Sequence, residues 1–279
     1  MLGSSLQWLI NAWLVTTGKV CSFKKYPWLK GPMSEVLHIG SGYYERFASS
    51  MGLIVENAPE GGLLNDFRVA ISDDDPLKSL LNPRIAEFYE HTARYKLEVW
   101  SQWYAPMSFF ARILIGSLST KMDQLNIPLY PLETSRGMSN EVLRLVDPKT
   151  GELHYACWLR KSILSGRVVY AGFYSTCIIE GNRYVRVVFP LPKGNVTVLL
   201  KTIVQEDGSV KLLSHGKKIG DAGYYRVRKH GNDAVKVKYI PLKESIHVYE
   251  DKYGVLRTDH EFWFVGIKML DLHYKIMEV

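Results

Sequence analysis

The sequence predicts an α+β protein: a helical N-terminal half packed on a large antiparallel β-sheet or partial barrel in the C-terminal half. Three observations predict it. From about Glu141 onward, short apolar runs alternate with tight turn signals. Between Asn82 and Leu125, apolar residues recur near the helical period. The composition, 47% hydrophobic and 23% charged over 279 residues, is that of a globular chain large enough for one large domain or two ordinary ones. The pattern divides the chain into an amphipathic N-terminal helix with a basic linker (1–33), a mainly helical region (34–140) and an antiparallel β region (141–279). Residues 34–279 can equally be read as one continuous domain.

Residues 1–18, MLGSSLQWLINAWLVTTG, carry no charged side chain, and Lys19, Lys24, Lys25 and Lys30 follow before the first acid, Glu35. A secretory signal has its positive charge ahead of the apolar core, so this arrangement is not one. A spanning helix needs about 20 apolar residues, and this run is shorter. Leu6, Leu9, Ile10, Trp13 and Leu14 fall on one helical face. With Trp8, Trp13 and the lysines, residues 1–30 suit a helix lying in a membrane interface. The plain alternative is a helix docked on the protein's own core.

Next, NPRIAEFYEHTARYKLEVWSQWYAP reads as a helix, with Asn82 as N-cap and Pro83 at the first helical position. Pro106 ends or kinks it. A second helix, from about Met107 to Leu125, carries Phe110, Leu114 and Leu118 on one stripe. The stretch EVWSQWYAPMSFFARILIG is rich in rings, but Pro106 splits it and Arg112 interrupts it. Two packed helices with an aromatic shared face fit better than a membrane span.

In the C-terminal half, EVLRLVD-PKTG-ELHYACWLR is a hairpin signal, and the runs that follow imply an antiparallel meander. Strand alternation sorts their side chains. His260 shares parity with Leu256, Phe262 and Phe264 and should face inward, whereas His247 and His273 should face outward, which argues against a three-histidine metal site. Asp259 and His260, adjacent on a strand, point to opposite faces and cannot form an acid–base pair. A satisfied core histidine is the plain reading of His260.

The net charge is +7, yet Arg183 to Lys238 alone holds twelve Lys/Arg against four Asp/Glu. Within it, Arg226, Arg228, Lys236 and Lys238 fall on one side of a hairpin and Tyr225, Val227, Val235, Val237 and Tyr239 on the other. This cationic side is a candidate anion-binding surface for phosphate or anionic headgroups. Aromatics and cations on opposite faces argue against a nucleic-acid stacking platform. Solvated strand surface is the competing reading.

Gly40-Ser41-Gly42 lacks the third glycine of a dinucleotide fingerprint, and no Walker motif occurs, so no cofactor is expected. The three cysteines, widely spaced and without CxxC, suggest a reduced, cytoplasmic setting.

NPRIAEFYEHTARYKLEVWSQW, PLETSRGM, AGFYSTC and YGVLRTDHEFWFVGIKMLDLHYKI resemble stretches of an uncharacterised bacterial protein family, over roughly residues 82 to 276. The last is also similar to β-rich bacterial domains of unknown function that end some membrane proteins. The resemblance implies a bacterial origin and a shared fold, and brings no activity or site.

The expectation is a non-catalytic binding protein for an apolar or lipid-like ligand, associated peripherally with an anionic membrane surface. Its ligand-binding residues would be Trp100, Trp103, Phe109, Phe110, His260, Phe262 and Phe264. Two alternatives stand beside it. One is an enzyme built on His260 with Tyr170, Tyr174 or Cys177. The other is phosphate or nucleic-acid binding through the cationic hairpin.

Overall fold

The computed structural model describes residues 12–13, 16–134 and 137–279. The expected helix over residues 1–18 falls largely outside them. Fourteen strands dominate: β1 (Lys19–Ser22), β2 (Ile54–Asn57), β3 (Tyr95–Trp103), β4 (Glu141–Val146), β5 (Leu153–Lys161), β6 (Val168–Ile179), β7 (Asn182–Leu191), β8 (Gly194–Val204), β9 (Val210–Leu213), β10 (Gly223–Lys229), β11 (Ala234–Ile240), β12 (Leu242–Glu250), β13 (Leu256–Phe264) and β14 (Ile267–Glu278). The main helices are α1 (Tyr43–Met51), α2 (Pro83–Glu90) and α3 (Met107–Leu114). A π-helical turn, Ile115–Ser119, and a last helical turn, Thr120–Met122, extend α3.

The strand order is β2-β4-β5-β6-β7-β8-β9-β12-β13-β14-β3, all pairs antiparallel. The sheet branches at β8. Lys201–Val204 of β8 pairs with β9, while Gly194–Leu199 pairs with β10, which leads to β11 and β1. The sheet curls without closing. Its ends approach near residue 140, where Asn140 Nδ2 donates to the carbonyls of Thr92 and Tyr95, both at 2.7 Å. The Trp158 indole of β5 donates to the same Asn140 through Oδ1.

The antiparallel C-terminal half is as expected, including the β4–β5 hairpin, but the helical N-terminal half is only partly so. Asn82 does cap α2, accepting from Arg84 N at 2.9 Å, and Pro83 does open it. The helix then stops at Glu90. Residues 95–103, expected to continue it, form β3 instead. Tyr95, Leu97 and Ser101 are buried, while Lys96, Glu98, Trp100 and Gln102 are exposed, which is the two-residue period of a strand. An edge position beside β14 accounts for the outcome, because the inward residues gain a core and the outward ones keep water.

Three apolar cores hold the molecule. The largest lies inside the curl, where α2 (Ile85, Phe88, Tyr89) packs against inward residues of β5, β7, β8, β12, β13 and β14. It draws on both the 34–140 and 141–279 regions. A second core seats α1 on the outer side of β5 and β6, through Tyr43 and Tyr44 against Cys157, Leu159 and Phe173. The third covers β10 and β11 with Cys21, Trp28 and Leu29.

Candidate functional site

Two places bring unusual side chains together. The first is outside the curl. β3 ends at Trp103, the chain turns at Pro106, and α3 runs back beside β14. Tyr104 N donates to Met269 O at 3.0 Å, fixing this turn against the start of β14. Between β3, α3 and the segment at residue 130 lies a groove of about 350 Å³, lined by Trp100, Trp103, Ser108, Arg112, Leu129 and Tyr130 among others. Trp103 Nε1 donates to Pro128 O at 2.9 Å, so that ring is held as wall. The Arg112 guanidinium lies 5.2 Å above the Tyr130 ring, a cation–π distance.

The helix beside this groove is inverted relative to an ordinary surface helix. Only Ala111 of α3 is buried, whereas Phe110, Ile113 and Leu114 are exposed and Phe109 is 63% exposed. Trp100, across the groove, is 59% exposed. Large apolar side chains left this exposed are uncommon on a surface helix. The aromatic face is therefore not buried between two helices, as the sequence suggested, but displayed between a strand and a helix.

The second place is inside the curl. Glu244 on β12 is buried and accepts two hydrogen bonds: from the Tyr224 hydroxyl at 2.7 Å and from His260 Nε2 at 2.5 Å. His260 faces inward, as parity predicts, and its ring lies against Phe262 with centroids 4.3 Å apart. Arg160 on β5 is fully buried, its guanidinium 5.5 to 6.0 Å from the Trp158, Tyr170 and Tyr274 rings. Nη2 of Arg160 reaches Leu97 O only at 3.5 Å, and the Tyr170 and Tyr274 phenols lie within its electrostatic reach. Burial raises the phenol pKa of Tyr170, Tyr174, Tyr224 and Tyr274. Arg160 opposes this at Tyr170 and Tyr274, while Glu244 adds to it at Tyr174, Tyr224 and Tyr274. These phenols stay neutral donors at ordinary pH and are poor nucleophiles.

The expected ligand residues thus divide. Trp100 and Trp103 line the outer groove, Phe109 and Phe110 stand exposed on the adjoining α3 without lining it, His260 and Phe262 belong to the inner cluster, and Phe264 sits exposed at the β13–β14 turn. Cys177 packs against the third core, away from His260. His247 and His273 face outward, bonded to Ser209 Oγ at 2.9 Å and Asp259 Oδ1 at 2.7 Å. Sequence reasoning missed Glu244 and Arg160. Both had a signal, being single charges on apolar strand faces, with Leu242, Ile246 and Val248 in one case and Trp158 in the other.

The cationic hairpin needs correction. Arg226 does not point to solvent. It is buried and donates to the carbonyls of Asn195 (2.9 Å), Val227 (2.6 Å) and Pro192 (3.2 Å). Burial, then neighbouring Arg228, pushes its pKa down to about 10. The reason is that β8 flanks β10 and both faces of β10 are covered, which alternation within one strand does not reveal. Arg228, Lys236 and Lys238 are half-buried, with Lys238 lying 5.4 Å from the Trp13 ring.

No helix among the described residues is long and apolar enough to cross a membrane. The chain is similar to the uncharacterized membrane protein YndJ of Bacillus subtilis (strain 168), at 28% identity over 229 residues. The match covers 80% of this chain but 39% of that protein, so the chain spans about two-fifths of its relative's length. No protein-family model and no solved structure matches.

Proposed function

We propose that the chain is a non-catalytic binding protein for a lipid-like ligand, working at a membrane surface. The observation that carries this reading is the outer groove. It combines tryptophan walls, one cation and a few hydroxyl and amide side chains (Ser101, Gln102, Ser108, Tyr130) with an adjoining helix whose large apolar side chains face water. Apolar binding sites have this make-up, mostly hydrophobic and aromatic lining with few polar groups to orient the ligand. Arg112 would meet an anionic head, and Trp100 and Leu129 the chain behind it. The bacterial relative, called a membrane protein, favours the same setting.

Titration of the purified chain with a brominated fatty acid tests the reading through tryptophan fluorescence. Saturable quenching is expected, weakened several-fold by Trp100→Ala and by Arg112→Gln. Unsaturable quenching, together with solvent extracts repeatedly free of lipid, would overturn it.

An enzyme built on His260 draws support from the Glu244 hydrogen bond, since a carboxylate that orients imidazole is a frequent acid–base arrangement. Its weakness is the neighbouring phenols, which burial keeps protonated.

A further inference from the structure

The turn joining β13 to β14 is built against its own backbone preference. Phe264 pairs with Ile267, leaving Val265 and Gly266 as a two-residue loop. Both have positive φ, +51° at Val265 and +81° at Gly266. A two-residue hairpin of this hand normally takes Asn or Gly at its first position. A β-branched side chain in the left-handed region is a backbone outlier, and such outliers persist where something other than local stability selects the residue. Here the side chain is also 64% exposed, and Phe264 and Ile267 beside it are exposed as well. The tip thus presents three apolar side chains to water from a strained turn. Its backbone is pinned, because Val265 N donates to Pro241 O at 2.9 Å.

This tip is at the same end of the sheet as α3. Leu270, three residues beyond Ile267, pairs with Trp103, and α3 packs on β14. We infer that the β13–β14 tip and the exposed face of α3 enter an anionic lipid bilayer together, as two wedges at one end of the molecule. The inference rests on the membrane-surface part of the proposed function.

A bilayer fits this end better than another protein for two reasons. The apolar residues project from two separate points, a turn tip and a helix face, as shallow insertion into acyl chains requires. Around them stand amphipathic rings, Trp100, Trp103, Tyr104 and Trp263, the residue types that settle at headgroup level. The cations nearby complement anionic headgroups. Arg112 and Lys243 make no ion pair among the described residues, while Lys268 is neutralised by Glu261 (2.8 Å) and Asp271 (2.9 Å).

Co-sedimentation of the full chain with vesicles of phosphatidylglycerol and phosphatidylcholine in equal amounts tests this. Val265→Asn suits the turn and should leave folding intact. It and Ile267→Ser should each lower partitioning about tenfold, as expected when one aliphatic side chain no longer enters the acyl region. Fatty-acid quenching in the groove should be unchanged. Binding that neither variant weakens would overturn the tip's role. If the parent chain ignores the vesicles but still binds fatty acid, the inference fails and the groove reading stands. Dimerisation that depends on Val265 would show that a second copy covers this end, and would also overturn the inference.

Discussion

Among single residues, Glu244 carries the most. A carboxylate that is buried and bonded to both Tyr224 and His260 is stable only with both partners, since an unpaired group there loses its solvation without return. Tyr224→Phe should lower the unfolding free energy by about 1 kcal/mol, the loss of one hydrogen bond. Glu244→Ala removes both hydrogen bonds and should lower it by about 2 to 3 kcal/mol. Urea denaturation distinguishes the two, and equal losses would mean that the His260 hydrogen bond adds nothing to stability. Parity in the sequence was enough to turn His260 inward. Its partner was not legible, because Glu244 reaches it diagonally across the β12–β13 register, where Ile246 is the residue directly opposite. Outside the curl, His247 has its pKa lowered by burial and then by Lys211, with Asp207, Asp259 and Glu261 opposing. His215 is lowered by burial and then Lys243, against Glu244. Below the ordinary histidine value of 6.5 the unfolded chain takes up protons that the native one resists, so stability should fall as pH drops through this range and be level above it. Denaturant midpoints measured between about pH 7 and pH 5 check the sign. Replacing both histidines with Gln should flatten the slope there.

Among elements, β3 and the β13–β14 turn show where local pattern and tertiary setting part. YKLEVWSQW satisfies both periods: Val99 and Trp103 are four apart, while Leu97, Val99 and Ser101 alternate. The open edge of β14 decided for strand, and no local signal in the nine residues reports that edge. The strand character of β4 to β14 was legible because turn residues punctuate it at short intervals, as at Asp147–Gly151. The Val265–Gly266 turn obeys the geometry of such punctuation but not its chemistry. Val265→Asn should therefore raise stability by about 1 kcal/mol, releasing the cost of a β-branched residue at positive φ, even as it weakens vesicle binding. Thermal denaturation of the variant decides this, and a lowered midpoint would mean that Val265 has packing worth more than the strain.

In the whole molecule, the curl has two ends that strand pairing does not join. β2 and β3 terminate the strand order, and the closure comes from bonds outside strand pairing: Ala93 N, just before β3, donates to Gly61 O, just after β2, at 2.9 Å, and side chains add to it. Asn140 is the side-chain clasp that ties β3 to β5. Its amide donates twice to carbonyls at the start of β3, and its oxygen accepts from the Trp158 indole of β5. The inner core depends on that closure, because α2 and β3 cover one side of it and β5 to β8 the other. Nothing in the sequence around Ser139-Asn140-Glu141 announces such a role, since the partners lie 45 and 48 residues earlier and 18 later. Asn140→Ala removes three hydrogen bonds and should cost about 3 kcal/mol, at about 1 kcal/mol for each. The loss should also be local in a way that ordinary core damage is not. Amides of β3 and the facing part of β5 should exchange with solvent much faster, while those in the centre of β7 and β8, paired on both sides, should change only by the global loss. Exchange accelerated uniformly across the sheet would mean that the two ends are held by the apolar core itself, with Asn140 contributing no more than any other buried polar residue.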